Sequence, residues 1–171
     1  YEDTRHNVGH QVIDGLSGRL DISLQHQSDA LVGRGRHVDQ KIGLAVPLTY
    51  MHRSGAAAAG LRDHYDLPID RLPVIVHDLL LPVAPLRLRP TGRRGGHHGL
   101  AHVAQRLGTT EFSRLRVGIG DDFPDGRQSD YVLSPFTDEQ RPAARSARED
   151  AEDAVLTMAR DDIDAAMNRF N

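Results

Sequence analysis

Four short segments carry side chains able to move a proton or hold an anion: Thr4 to Gly9, Tyr50 to Gly55, His77 with Asp78, and Gly95 to Leu100. Histidine titrates nearest neutrality, so His6, His52, His77, His97 and His98 can each take a proton from water at working pH. Asp78 closes the apolar stretch Pro73 to His77. Strand ends are where open α/β sheets place their ligand crevices, and a carboxylate there can orient an imidazole. The chemistry these residue types support is hydrolysis. Taken singly, each segment also has a plain structural reading: His6 as a polar residue opening a helix, Asp78 as a cap or turn residue, Gly95 with Gly96 as only a flexible turn; a separate alternative is an unrelated α/β protein that binds a small anion at that turn. His98 and His102 stand one helical turn apart, a metal-ligand spacing, but no third ligand is fixed beside them and no metal is expected.

These groups sit in an uneven field. Residues 81 to 120 hold seven basic residues against one acidic residue, whereas residues 121 to 171 carry a net −7 and the whole chain only −3. Arg87, Arg89, Arg93, Arg94, Arg106, Arg114 and Arg116 make up the basic block, the footprint of a polyanion partner or of a solvated face balanced by the acidic tail. No apolar run approaches the roughly 18 residues that span a bilayer, so a membrane protein is not expected. Without cysteine there is no disulfide scaffold, thiolate metal site or cysteine nucleophile, which fits the cytoplasm.

The elements that must position these groups follow from periodicity. Val8, Val12, Ile13, Leu16 and Leu20 recur at helical spacing. Ala30 to His37 and Ile42 to Val46 read as a hairpin, and Ser54 to Tyr65 as an alanine-rich helix stopped by Pro68. Pro73 to His77 reads as a strand covered on both faces, and Leu86 to Arg89 as a strand with a basic outer face. His97 to Leu107 reads as a helix closed by Gly108, Arg114 to Gly120 as a strand, and Asp121 to Ser129 as a loop. A last helix is expected from Thr137 or Pro142 to Phe170, opened by a capping box of Thr137 and Gln140. The alternation predicts an α/β single-domain sandwich over residues 1–171, with a mixed, partly parallel twisted sheet flanked by helices.

Taken in order, the segments resemble the bacterial peptidyl-tRNA hydrolase family. The resemblance rests on Thr4, Arg5, His6, Asn7, Val8 and Gly9; on Tyr50, Met51, His52, Arg53, Ser54 and Gly55; on Val76, His77 and Asp78; on Gly95, Gly96, His97, His98, Gly99 and Leu100; and on Arg114 through Gly120. It implies cleavage of the ester between a peptide and the terminal ribose of tRNA, by a monomer without metal or cofactor that engages the acceptor stem and 3′ end. It implies His6 as the general base and Asp78 as the acid that keeps its imidazole basic. Tyr1, Tyr50, His52 and His98 fall on substrate contacts, with Asn7, Met51 and His97 beside them, and Arg89 and Arg116 on a phosphate clamp.

The sequence departs from that pattern at four places. His52 and His98 stand where the family carries asparagine, and leucines Leu79 to Leu81 follow Asp78 where acids are expected. The family's first strand and its Gly, Asn, Pro, Gly turn precede the position of Tyr1, so a domain lacking that strand is expected. A neutral imidazole can donate and accept like an amide but with different reach. A relative that binds tRNA with weak or no catalysis is therefore the alternative function.

Overall fold

A computed structural model of the chain describes residues 3–50, 53–92 and 97–171. The first helix, α1, runs over Val8–Leu20 and buries Val8, Val12 and Leu16; a 3-10 turn, Arg5–Asn7, leads into it. Strands β2 (Ala30–His37) and β3 (Gln40–Pro47) form the expected antiparallel hairpin, and a short β1 (Gln25–Gln27) pairs with β2 on its other side. Nothing in Gln25, His26 and Gln27 alternates in polarity, so pattern reading passes over that strand. Helix α2 covers Ser54–Tyr65.

The second half holds the mixed sheet. Strand β4 (Val74–Asp78) runs parallel to β6 (Arg114–Gly118), and β5 (Leu86–Arg89) runs antiparallel to β6, in the order β4-β6-β5. Among the described residues the hairpin forms its own three-stranded sheet instead of extending the mixed one. Leu86 and Leu88 point into the core while Arg87 and Arg89 face outward, as the leucine–arginine alternation requires. One face of the mixed sheet packs on α1 and on α5 (Arg141–Arg160) through Leu115, Val117, Val12 and Ala151. The other packs Val74 and Val76 against α3 (His98–Leu107), through Leu100 and Val103. Among the described residues no helix is long and apolar enough to cross a membrane.

Two expectations change at the C-terminal end. Part of the expected loop forms a short α4 (Gln128–Val132). The expected single last helix is two, α5 and α6 (Ile163–Phe170), because Asp162 leaves helical geometry and accepts the Ala165 N–H at 2.7 Å as an N-cap. The apolar stripe stays in phase across the break, which hides it from periodicity. The Thr137–Gln140 box forms as expected, each backbone N–H donating to the other's side chain at 3.3 Å, and Pro142 sits in the first turn of α5, where its missing N–H leaves no intrahelical bond unmade.

Candidate active site

Where the start of α1 meets the end of β4, the sequence brings histidines together. Gly9 lets this happen: a Cβ there would stand 2.8 Å from the Ile75 carbonyl oxygen, so only glycine lets the helix approach the strand backbone this closely. The preceding 3-10 turn presents the His6 ring to that of His77, centroids 5.4 Å apart and tilted by 52°. His77 in turn meets His97, centroids 4.8 Å apart and tilted by 53°. His97 is the N-cap of α3: its Nδ1 accepts the Leu100 N–H at 3.1 Å. A neutral ring accepting at Nδ1 carries its proton on Nε2, and that buried Nε2 has no hydrogen-bond partner among the described residues.

Burial sets the charge state of this cluster. It lowers the His6 pKa from its ordinary value. His77, 9% exposed, is lowered to about 3 by burial and then by the neighbouring His97 and His6, against an opposing contact with the His6 main chain. His97 is lowered to about 4, first by burial, then by Arg116 and His6, with Asp78 pulling the other way. All three imidazoles are neutral at pH 7, so His6 has a lone pair free to take a proton.

Asp78 is held differently from expectation. Its Oδ1 accepts the Leu80 N–H at 2.9 Å and its Oδ2 accepts from the Arg116 guanidinium at 3.1 Å. Asp78 and His6 share no hydrogen bond among the described residues. Alternation along a strand sends His77 and Asp78 to opposite faces of β4, and Asp78 shares its face with Val76, the residue opposite Arg116. Arg116, expected as part of a phosphate clamp, is the partner of this acid, with side chains 13% and 9% exposed.

The other expected site residues spread outward. Asn7 stands half-buried just before α1 without a side-chain capping bond, its N–H donating to the Thr4 carbonyl at 3.0 Å. Tyr50, 78% exposed, follows β3, and its carbonyl accepts the Arg53 N–H at 2.7 Å as the chain turns into α2. His98 opens α3 and lines, with His102, Gln105 and Thr109, an open groove of about 580 Å³ on the outer side of that helix. Arg89 lies exposed on β5, facing the same way as Arg87, Arg114 and Arg116 across the antiparallel pair. Tyr1, Met51 and His52 lie outside the described residues. Among the described residues no three His, Asp or Glu side chains are placed to hold a metal ion.

His77, which the sequence offers beside Asp78 with no link to His6 or His97, touches both of those imidazoles. Sequence reading also passed over Arg5, whose side-chain partners lie 126 to 135 residues away, a distance no local pattern spans.

Comparison with known proteins adds the following. The family model for peptidyl-tRNA hydrolase matches residues 1–171. A peptidyl-tRNA hydrolase of Salinibacter ruber is 90% identical over 171 residues, covering all of this chain and 91% of the relative. One from Bacillus subtilis is 41% identical over 172 residues, covering all of this chain and 92% of the relative. The crystal structure of peptidyl-tRNA hydrolase from Acinetobacter baumannii superposes with a TM-score of 0.94 at 28% identity, covering all of this chain and 88% of that one.

Proposed function

Because the chain belongs to the peptidyl-tRNA hydrolase family and is a hydrolase of the peptidyl-tRNA ester bond, we propose that its reaction runs through His6 as general base. The observation that carries this reading is the contact of three neutral imidazoles, His6, His77 and His97, at the end of β4. His6 takes a proton from water as that water attacks the ester carbonyl. The carbonyl π electrons move to oxygen, and the tetrahedral intermediate collapses by expelling the ribose oxygen. The imidazolium returns its proton to that oxygen, so the enzyme ends as it began, with a free peptide acid and tRNA released.

His97, fixed at Nδ1 by the Leu100 N–H, packs against the ring of His77, which in turn meets the ring of His6, so the base is held by neighbours that are themselves fixed. Asp78 holds Arg116 and the turn at Leu80, and its charge is felt at His97. Its role beside the base is therefore to fix Arg116 and the turn that follows β4. Arg89, with Arg87 on the exposed face of β5, is our choice for the phosphate near the tRNA 3′ end, and Tyr50 and Asn7 are proposed as further substrate contacts. Met51, His52, His98 and Tyr1 complete the proposed contacts with the acceptor stem. A monomer acting in the cytoplasm fits this role.

The test is release of an N-acetylated amino acid from tRNA by the purified chain, with tRNA binding measured alongside. Turnover with binding supports the assignment. Binding without turnover would make the chain an RNA-binding relative instead.

A further inference from the structure

We infer that Arg5 and Tyr131 are positioning residues that hold the proposed base at a fixed distance from the end of β4; this rests on the His6 reading above. Arg5 precedes His6 directly and is 3% exposed. Among the described residues it has no carboxylate partner. One terminal nitrogen, Nη1, donates to the Ser134 Oγ at 2.6 Å, to the Pro135 carbonyl at 2.6 Å and to the Ser134 carbonyl at 3.2 Å. Nη2 donates to the Gln140 Oε1 at 2.7 Å. The guanidinium lies 4.1 Å from the centre of the Tyr131 ring. Its main-chain N–H also donates to the Ser134 carbonyl, at 3.1 Å, beside a bridge between Thr4 and Pro135.

Tyr131 carries the connection onward. Its hydroxyl donates to the Ile119 carbonyl at 2.7 Å, and the Ile119 N–H donates to the Asp78 carbonyl at 3.0 Å. Gly120 makes room for the hydroxyl, since a Cβ there would come within 2.9 Å of it, and its φ of +77° is one that glycine adopts without strain. A continuous path thus runs from His6 through Arg5, Tyr131 and Ile119 to the main chain of Asp78. Burying a guanidinium without a counter-charge is costly, and an apolar side chain would fill the same space at lower cost. The planar fork offers something an apolar residue lacks, namely several fixed bonds from one side chain. A displacement of about 1 Å in a reacting group can cost on the order of 10²-fold in rate.

The experiment uses Tyr131→Phe and Arg5→Met, each in the full chain and each repeated in a His6→Ala background, with peptidyl-tRNA as substrate. Tyr131→Phe keeps the ring under the guanidinium and removes only the bond to Ile119, so it remains informative if Arg5→Met does not fold. We expect kcat to fall roughly tenfold in Tyr131→Phe and further in Arg5→Met, with KM within about twofold, because the loss falls on the chemical step. We expect neither change to lower the residual rate of His6→Ala, since the two act through that imidazole. Wild-type kcat in Tyr131→Phe, or equal fractional losses with and without His6, would overturn the inference while leaving the base assignment intact. Full activity in His6→Ala itself would instead sink the base assignment, and the positioning role with it.

Discussion

The Asp78 carboxylate accepts from the Arg116 guanidinium at 3.1 Å, in a pair almost closed to solvent. The acid that sequence placed behind His6 is thus committed first to an arginine on the neighbouring strand. Losing one member of such a pair strands the other's charge. We expect Arg116→Gln to cost about 3–5 kcal/mol of stability, and Asp78→Asn combined with Arg116→Gln to recover much of it. Denaturant unfolding of the two single variants and the double variant measures this directly.

The pH dependence of turnover follows from His6. The active form is the neutral imidazole, and burial lowers its pKa below the ordinary 6.5. Activity is therefore full at neutral pH and falls on acidification, with the midpoint of the acid limb below 6.5. A kcat/KM profile of the free enzyme reports that midpoint.

Stability should show a separate acid dependence. His77 and His97 have folded-state pKa values of about 3 and about 4, below the 6.5 of the unfolded chain. Between those values the unfolded state binds protons that the folded state refuses, so stability is retained above pH 6.5 and lost as pH falls toward 4. The slope is on the order of 1 kcal/mol per pH unit for each histidine. Thermal unfolding of His77→Phe against pH should show a shallower decline than the wild type over that window.

Gly9 offers a steric test. A methyl group there meets the Ile75 carbonyl at 2.8 Å, and since the contact is with backbone, the helix start must move away from β4. We expect Gly9→Ala to remain folded, to lose about 1–3 kcal/mol, and to lose activity out of proportion to that, because His6 moves with the helix. Comparing melting temperature with turnover separates the two effects.

Much of this architecture was legible beforehand, for identifiable reasons. Helix α2 and the β2–β3 hairpin emerge with their expected character because alanine content, alternation and turn residues agree locally. The site was legible as a set of segments but not as a set of bonds. His6, His77 and His97 are brought together by Gly9 and by the packing of α3, whereas the choice of Asp78 between His6 and Arg116 is decided by which face of β4 it leaves from. Arg5 was invisible as a brace because its partners Ser134, Pro135 and Gln140 are distant in sequence. The break between α5 and α6 did leave a signal, in the consecutive Asp161 and Asp162, but the continuous apolar stripe outweighed it.

The most direct measurement is the single-turnover rate of ester cleavage on N-acetylaminoacyl-tRNA, with saturating enzyme, for wild type and His6→Ala. Removing a general base costs about 10²–10⁴-fold. A loss of that size at pH 7, with tRNA affinity and melting temperature near wild type, is the result expected if His6 takes the proton from water. A His6→Ala rate within about twofold of wild type would contradict it.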